Sequence, residues 1–556
     1  MKKILKALFW FLLFQIVAVI FTWPLILHLG DAFMGALDKI NTRDPLAYAW
    51  DFAWFAHQIF ADPSKIWDAN IFYPRALTFA FNENHFVFGL LALPLQVFGD
   101  PIFSTNFIYI FGYGLSIWGG FLLVRYLTKN NWAALFGALV WALASPRFGH
   151  LMHFHYFILL WFPFVFLFLI KYLREQRLRD LVIFAIFMLV QIFSGLYLAM
   201  IALVCCTVFV LAYLALQREK WTKKLSAYAL SIGAVLILAL SVLYPYFKLA
   251  LAAGHTWSIW AGLPFSASLD DYLIPHSQGI LYHSGFFDNW HLAQQPKESA
   301  WEVTLFVGAS VWLLSWVGLG RKGSRRLLLS LSVPAMLAFI LSLGPYVGKW
   351  PSPLYWLFYK VVPGFSSMRA PARWGELVFL FLAVMSAFGF VFLKEKLQRV
   401  KSAFVSKNAS VLLFVLATAA LFLEFLPVPI PLTAVTPKDK IPQVYRWLGE
   451  QKEDFAIVEL PIYFGDDNWK EEERMYFSTF HWKKMVNGFV AFDKDYPEQA
   501  KLVQGFPNKS AIAYLKNIKV KYVIFHRDQF SESITEQVLQ KTKIIKDFGN
   551  DLVLEI

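Results

Sequence analysis

Residues 1–29, MKKILKALFWFLLFQIVAVIFTWPLILHL, begin with three lysines and continue as an apolar stretch long enough to cross a bilayer. A secretory signal peptide also starts with basic residues, but its apolar core is shorter and a small-residue cleavage site follows it. Neither feature is present here. We therefore predict that this stretch is a retained first membrane-spanning helix.

The composition extends this prediction to the whole chain. Of 556 residues, 58% are hydrophobic and only 16% are charged, a balance at which a soluble protein would aggregate. The net charge of +13 comes from short Lys and Arg clusters between apolar runs and not from one basic face, which argues against a nucleic-acid partner. The only cysteines, Cys205 and Cys206, are adjacent and cannot join distant segments. The fold class is a polytopic α-helical membrane protein.

Apolar runs predict about eleven transmembrane helices, at 1–29, 104–127, 131–145, 155–173, 181–195, 197–216, 226–248, 302–319, 326–343, 374–393 and 409–427. Basic clusters occupy alternate connections, so the positive-inside rule places the N-terminus in the cytoplasm and the C-terminus outside. The long connection 30–103 then lies on the outer side, with an interfacial helix predicted at 85–99.

The C-terminal part has a different composition. Hydropathy falls after residue 427, and several prolines predict an extended linker. FAIVELPI and VKYVIFH are typical of buried strands, and IPQVYRWLGEQ of an amphipathic helix. We predict a transmembrane domain over 1–427 and a small extracytoplasmic α/β domain over 428–556.

The outer connection contains TRDPLAYAWDFAW, residues 42–54. Asp44 precedes Pro45, which suits a helix cap in front of a proline at the first helical position. The alternative is chemical, with Asp44 as a general base toward a hydroxyl or as a metal ligand beside a phosphate. Asp51 lies two helical turns further on and is a possible second acidic residue on the same face.

The stretch ASPRFGHLMHFHYF, residues 144–157, gathers a cation and three histidines. One interpretation is a phosphate site formed by Arg147 and His150, with His153 and His155 near an acceptor or sugar. A metal site would need a further ligand, for which Asp44 is a candidate. The third interpretation is ordinary anchoring at the membrane surface.

Two arginines, Arg369 and Arg373, precede a predicted span in PGFSSMRAPARWGE, residues 363–376. Cations on the outer side of a helix start oppose both the positive-inside bias and the helix dipole. They could clamp a phosphate bidentately, or pair with Glu376 or lipid headgroups. In the C-terminal domain, His481 and Trp482 are candidates for sugar or acceptor contact, or else belong to a solvated surface.

The order of these segments resembles the GT-C superfamily of polyprenyl-phosphate-dependent glycosyltransferases, and more narrowly the uncharacterised bacterial multi-spanning proteins related to it. The resemblance rests on TRDPLAYAWDFAW, SGLYLAM, LGPYVGKWPSPLYWLFYKVVPGFSSMRAPARW, VYRWLGEQKEDFAIVELPI and FHWKKMVNGFVAF. It implies a plasma (inner) membrane enzyme of a prokaryote, with Asp44 matching the first-loop acid that serves as catalytic base or metal ligand. The paired Asp-Asp and Glu-x-Asp forms are absent, so a divalent ion such as Mg²⁺ or Mn²⁺ stays an open alternative.

Two functions fit these patterns. The first is an inverting transfer of a hexose or pentose from a polyprenyl-phosphate donor to an extracytoplasmic glycan, lipid or protein, with Asp44 as base. The second is a transporter or flippase of lipid-linked or envelope precursors, which would place ionisable residues at mid-bilayer. The predicted spans are almost free of charge at their centres, and no P-loop, GxSxG or HExxH motif is present. The sequence therefore favours the enzyme.

Overall fold

The computed structural model describes residues 2–35, 44–96, 99–218, 221–253, 257–275, 281, 301–425, 430–489 and 496–556. Some predictions from the sequence lie outside these residues. They concern the first prolines of the predicted linker, at 427 and 429, and residues 97 and 98 of the predicted interfacial helix.

The apolar part of the chain is built from helices of very different lengths. In chain order they are α1 (Lys2–Phe21), α2 (Asp44–Ala61), α3 (Phe86–Gln96), α4 (Pro101–Thr128), α5 (Asn131–Ala142), α6 (Ser145–Gly149), α7 (Phe154–Ile158), α8 (Phe162–Glu175), α9 (Leu178–Ile192), α10 (Leu196–Gln217), α11 (Trp221–Leu238), α12 (Leu240–Ala253), α13 (Ala309–Leu319), α14 (Arg325–Ser342), α15 (Pro353–Val361), α16 (Gly375–Leu397) and α17 (Ala403–Phe425).

Among the described residues, six helices are long and apolar enough to cross a membrane: α1, α4, α10, α14, α16 and α17, two of them with their preceding turns. The pair α11 and α12 is bent by 69° and adds a seventh if it forms one span. The predicted spans near 131–145, 155–173, 181–195 and 302–319 correspond to α5, α8, α9 and α13, which have 11 to 15 residues. The protein is therefore a multi-helix membrane protein, while the count of eleven and the orientation stay predictions.

The predicted span at 155–173 is broken for a local reason. Helix α7 ends at Ile158, and Leu159 follows with a left-handed φ of 40°. Helix α8 starts three residues later, and Pro163 in its first turn fits because no helical N–H is needed there. Together with the short α6, this break creates an irregular segment, 143–161, in the interior of the helical bundle.

The connection 30–103, which we name the outer connection for its predicted side, and the segment after α17 are joined by backbone pairing. Strand β1 (Ala32–Met34) pairs antiparallel with β4 (Leu432–Ala434), directly after the described part of the linker begins. The side-chain amide of Asn106 in α4 donates to the carbonyl oxygens of Leu29 and Ala32 at 2.9 and 2.7 Å. A second small hairpin, β2 (Tyr346–Val347) and β3 (Trp350–Pro351), precedes α15.

The C-terminal part folds around a five-stranded mixed sheet. Its strands are β5 (Ala456–Leu460), β6 (Lys484–Met485), β7 (Val520–His526), β8 (Lys543–Asp547) and β9 (Asp551–Glu555), in the order β6-β5-β7-β9-β8. Strand β5 runs parallel to β6 and β7, whereas β9 is antiparallel to β7 and β8. Parallel neighbours need crossover connections, supplied here by helices. The helices of this part are α18 (Gln443–Glu450), α19 (Glu471–Ser478), α20 (Tyr496–Gln504), α21 (Lys509–Asn517) and α22 (Glu532–Lys541).

The outer connection and the C-terminal part share one hydrophobic cluster. Trp50 and Trp54 of α2 and Phe72 of the following loop are buried together with Val458 of β5 and Tyr496 of α20. Helix α19 packs directly on α2. This shared core holds the start of α2 between the helical bundle and the C-terminal sheet, where the polar residues described next converge.

Candidate active site

Asp44 is the first residue of α2 and contacts two distant parts of the chain. Its Oδ2 lies 3.1 Å from Nε2 of His153, in the segment between α7 and α6. The carboxyl of Glu472 in α19 also lies close enough to influence it. The side chain of Asp44 is 18% exposed and that of His153 is 13% exposed, so both remain reachable from solvent.

The histidines of segment 143–161 continue this contact into the bundle. Nδ1 of His153 lies 3.0 Å from Nδ1 of His150. Nε2 of His150 lies 3.3 Å from Oε1 of Glu376 at the start of α16, and 3.7 Å from Oε2 of Glu302. His150 follows the last residue of α6 and His153 precedes the first residue of α7, so both side chains come from the short turn between these helices.

Arg373 lies at the other end of the same polar group. Its Nε donates to Oε2 of Glu302 at 2.8 Å, a second nitrogen pairs with the other oxygen, and Nη1 donates to the Tyr156 hydroxyl at 2.7 Å. The guanidinium also lies 4.2 Å from the ring centre of Tyr156 and 5.1 Å from that of Tyr197. We call Asp44, His150, His153, Glu302, Arg373 and Glu376 the Asp44 cluster.

A second row of polar contacts runs beside this cluster, and we call it the Asp51 chain. Oδ2 of Asp51 lies 2.9 Å from Nδ1 of His85, and Nε2 of His85 lies 3.2 Å from Nδ1 of His155. Nε2 of His155 then lies 3.0 Å from Oε2 of Glu83. The Asp51 chain therefore joins α2 to segment 143–161 and to Glu83.

The Asp51 chain connects to the arginine segment through Tyr197. Glu83 accepts a hydrogen bond from the backbone N–H of Tyr197, at the start of α10. The Tyr197 hydroxyl in turn bonds both the carbonyl and the N–H of Ala370, which lies between Arg369 and Arg373. The Asp51 chain therefore supports the backbone that carries the two arginines.

The carboxyl groups of this region differ in the direction in which their pKa values are shifted. Burial would raise the pKa of Asp44, but the hydrogen bond and charge of His153 outweigh it and lower the pKa below its usual value. Burial raises the pKa of Asp51, and His85 offsets this only in part. Glu83 is also desolvated, yet the charge of His155 lowers its pKa to about 2. Asp44 and Glu83 are therefore ionised at neutral pH.

Arg369 is placed differently from Arg373. Its guanidinium carbon lies 5.1 Å from the Trp257 ring centre and 4.6 Å from that of Phe265. The carboxylates of the described residues form no ion pair with it, although Glu302 and Arg373 are close enough to influence it. Arg369 is thus a cation whose charge the described part of the chain does not neutralise directly.

Arg147 lies elsewhere, inside the bundle. Its nitrogens donate to the Trp141 carbonyl at 2.9 Å, to Oγ of Ser116 at 3.1 Å and to the Phe157 carbonyl. The side chain is fully buried, and these bonds hold both ends of the irregular segment. The structure therefore gives Arg147 a structural role, and its predicted contact with a phosphate has no support in this geometry.

The two candidates in the C-terminal part, His481 and Trp482, lie in different surroundings. His481 is buried, stacks on Tyr445 and accepts the N–H of Lys483 on Nδ1. Trp482 is half-buried and faces His57 of α2 across a ring-centre distance of 4.3 Å. Only Trp482 of this pair is therefore placed to contact a ligand.

The metal alternative can be tested against the donor atoms. The carboxyl oxygens of Asp44 and Glu472 are of the kind that Mg²⁺ and Mn²⁺ prefer. Within the described ranges, however, His, Cys, Asp and Glu form no group of three or more with metal-binding geometry. These residues do not fit a protein-built metal site, and we derive no step through a metal.

Several members of these networks were not singled out from the sequence. Glu83, His85 and Glu472 each lie in an unremarkable local pattern, and only folding brings them to the site. Tyr197 had a signal, because the polar SGLY stretch interrupts an apolar region. Glu376 was considered as a partner for the arginines, whereas Arg373 pairs with Glu302 instead.

Comparison with known proteins places the fold. No protein-family model and no curated protein sequence matches the chain. The arabinofuranosyltransferase AftD from Mycobacteria matches in structure with a TM-score of 0.53 and 13% identity, over 98% of this chain and 41% of AftD.

Two further structures resemble the chain less closely. One is ArnT from Cupriavidus metallidurans bound to undecaprenyl phosphate, with a TM-score of 0.49 and 12% identity over 98% of this chain and 97% of ArnT. The other is the archaeal oligosaccharyltransferase AglB from Archaeoglobus fulgidus in complex with an inhibitory peptide and a dolichol-phosphate. Its TM-score is 0.48, with 13% identity over 95% of this chain and 70% of AglB. At these identities the likeness concerns the fold. The chain has the fold of GT-C glycosyltransferases, as the sequence resemblance implied.

Proposed function

We propose that the protein is a membrane glycosyltransferase that moves a sugar from a polyprenyl-phosphate donor to an extracytoplasmic acceptor. The observation that supports this proposal is the row of contacts that links Asp44, through His153, His150 and Glu302, to Arg373, more than 300 residues further along the chain. A transfer from a phosphate leaving group requires a general base and cations that stabilise the departing charge.

In this proposal Asp44 is the base. Its carboxylate is ionised at neutral pH, partly exposed, and oriented by His153. It would take the proton of the acceptor hydroxyl while the acceptor oxygen forms a bond to the anomeric carbon of the sugar. The bond between that carbon and the phosphate oxygen breaks at the same time, and the phosphate leaves with the electron pair. Attack opposite the leaving group inverts the configuration.

The arginines would bind the departing phosphate. Arg373 keeps 16% of its side chain exposed while Glu302 and Tyr156 fix its plane, so it can present a remaining edge to an anion. Arg369 adds a second guanidinium, held by two aromatic rings rather than by a carboxylate. The lipid tail of the donor would then lie against the apolar helices. Because the polyprenyl phosphate itself carries the activated sugar, no nucleotide-binding motif is needed.

Substitution of Asp44 by Asn tests this function. The amide keeps the shape of the side chain but cannot accept a proton, so sugar transfer in membranes supplied with polyprenyl-linked sugars should fall by a factor of 10² or more. The measurement is radiolabelled sugar incorporated into the acceptor fraction, at equal amounts of folded protein.

Asp31→Asn is the matched control, since Asp31 lies in the same outer connection, is exposed and pairs only with His28 in the described structure. It should leave transfer unchanged. Transfer that persists in Asp44→Asn would contradict the proposal. Movement of lipid-linked sugars across proteoliposomes in that variant, without any transfer, would favour the transporter instead.

A further inference from the structure

A group of cations lies where α4 and α8 end side by side. Lys129 is the C-cap residue of α4, and Lys171 and Arg174 lie near the end of α8, which packs on α4. Helix α8 starts directly after segment 143–161, and its 14 residues extend about 20 Å, so these cations lie far from the Asp44 cluster. Because α4 is long and apolar enough to cross a membrane, a cation that follows its last turn belongs at the membrane surface.

The three side chains meet at one aromatic ring, that of Tyr126 in α4, and we call them the Tyr126 cations. Nζ of Lys129 lies 4.3 Å from the ring centre, and Nζ of Lys171 lies 5.4 Å from it. The guanidinium carbon of Arg174 lies 5.8 Å from the same point. Contacts of this kind attract each cation to the ring, but they leave its positive charge in place.

Carboxylates offset only part of this charge. In the part of the chain that the structure describes, none of the Tyr126 cations forms an ion pair. Glu175 is close enough to feel both lysines, but its carboxylate accepts a hydrogen bond from Tyr126 at 2.7 Å and pairs with Arg177 at 2.8 Å. Four cations thus share one carboxylate, and the ends of α4 and α8 add about half a negative charge each. A surplus of about two positive charges remains.

A partly exposed aromatic surface continues from these cations along the helices. Phe164, Phe168 and Lys171 are spaced three or four residues apart and so share one face of α8. Nζ of Lys171 lies 4.8 Å from the ring centre of Phe168, on which Phe187 of α9 stacks at 5.7 Å. Trp118 of α4 lies 6.3 Å from Phe164. Trp118, Phe168 and Phe187 are half-buried, so part of each ring remains accessible to an acyl chain.

The positive-inside rule explains why basic residues occur at the ends of spans, but it does not explain why three of them meet. The end of α16 and the residues after it carry the same set, Lys394, Lys396 and Arg399. Among the described residues, only Lys396 of that set contacts an aromatic ring, that of Phe392 at 5.4 Å. Convergence on one ring therefore distinguishes the Tyr126 cations from other basic residues at a helix end.

We propose that the Tyr126 cations bind the headgroup of an anionic phospholipid. Its phosphate would contact Lys129, Lys171 and Arg174, and its acyl chains would lie on the aromatic surface of α4, α8 and α9. Basic pockets between membrane helices are known to hold anionic headgroups. A phospholipid matches both the charge and the apolar surface, whereas a soluble anion would match the charge alone.

Native mass spectrometry of the full-length protein tests this proposal. The protein in detergent receives equal amounts of dioleoyl phosphatidylglycerol and dioleoyl phosphatidylcholine, which have the same acyl chains but differ in net charge. The wild type should retain phosphatidylglycerol with a preference of roughly tenfold or more. The triple substitution Lys129→Gln, Lys171→Gln and Arg174→Gln should abolish this preference, because glutamine carries no charge.

Two further variants separate charge from folding. Lys129→Arg with Lys171→Arg keeps every charge and should keep the preference for phosphatidylglycerol. Arg174→Gln alone changes an exposed side chain and should lower the preference, even if the triple variant does not elute as a monodisperse protein. An unchanged preference in Arg174→Gln and in a folded triple variant would overturn the proposal.

The matched control is the second basic set. Lys394→Gln, Lys396→Gln and Arg399→Gln remove the same number of charges at the end of another apolar helix, and this variant should keep the preference of the wild type. Equal losses in the two triple variants would show that diffuse charge is sufficient, which would overturn the proposal. Equal retention of both lipids by the wild type would also overturn it.

Inorganic phosphate distinguishes a lipid headgroup from a soluble anion. In large excess over the lipid, it should neither form an adduct with the wild type nor displace phosphatidylglycerol. A phosphate adduct that the Lys129, Lys171 and Arg174 variant loses would identify a site for a free anion, and the assignment to a phospholipid would then be wrong.

Discussion

Arg373 has the most closely defined environment of the charged residues at the site. The Glu302 carboxylate and the rings of Tyr156 and Tyr197 surround its guanidinium, and together with the Tyr156 hydroxyl they fix its plane. A cation held in this way cannot rotate to follow a ligand, so a phosphate would find the donors already oriented. The pair with Glu302 is therefore expected to matter for folding as well as for binding.

Replacing Glu302 by Gln tests that expectation. The carboxylate is almost fully buried, so its replacement by an amide leaves the Arg373 guanidinium without the charge it is paired with. We expect the free energy of unfolding to fall by about 3 kcal/mol or more. Denaturant unfolding of the purified protein in detergent measures the change.

Glu395→Gln provides a matched control. Glu395 also pairs with an arginine, Arg321, at 3.0 Å, but the two side chains are 42% and 33% exposed. Its removal should cost less than about 1 kcal/mol. If both variants lose the same stability, the burial of the Arg373–Glu302 pair has no special effect.

At the scale of elements, glycines in α13 and α16 allow the backbones of these two helices to approach each other closely. A Cβ atom on Gly389 would lie 1.9 Å from the Leu314 carbonyl oxygen, and one on Gly318 would lie 2.6 Å from that of Met385. Membrane helices associate closely where small residues let their backbones approach. Helix α16 also carries Glu376, so this contact helps to position the site.

Substitution of Gly389 by Ala should force these two helices apart. Overpacking of this kind costs about 1–3 kcal/mol, because the obstacle is backbone and cannot change rotamer. We expect a lower midpoint of thermal unfolding, measured by the loss of monodisperse protein after heating.

Gly233 in α11 offers the opposite case on another apolar helix. Nothing lies within 4 Å of a Cβ placed there, so alanine meets no obstacle. Gly233→Ala should keep or raise the midpoint, since alanine favours a helix over glycine by up to about 1 kcal/mol. A drop of equal size in both variants would contradict the role of the α13–α16 contact.

At the scale of the whole molecule, the C-terminal part belongs structurally to the outer connection. Strand β1 pairs with β4, and α19 packs on α2 next to Asp44. The two parts must therefore lie on the same side of the membrane. The basic clusters in the alternate connections predict that this side is outside.

Cysteine labelling tests this orientation. The native Cys205 and Cys206 are buried in α10, so they give little background. Glu536→Cys in the C-terminal part should react with a membrane-impermeant maleimide in intact cells. Arg399→Cys, in the connection between α16 and α17, should react only after the cells are opened; the reverse pattern would contradict the topology.

Local patterns were sufficient for the membrane class, the apolar helices and the GT-C resemblance. These properties depend on composition and on residues close together in the chain, so hydropathy and helix signals carry them. The number of spans could not be derived in this way. Whether α5, α8, α9 and α13 cross the membrane depends on packing and on breaks such as Leu159, not on hydropathy alone.

The candidate site shows the same division. Asp44, Arg369, Arg373 and the histidines attracted attention because each is polar beside an apolar segment. Their partners were decided by the tertiary structure. It pairs Asp44 with His153, buries Arg147 against backbone carbonyls, and pairs Arg373 with Glu302. A sequence specifies which charges are present, but their pairing depends on contacts between segments hundreds of residues apart, and only the packed chain determines those.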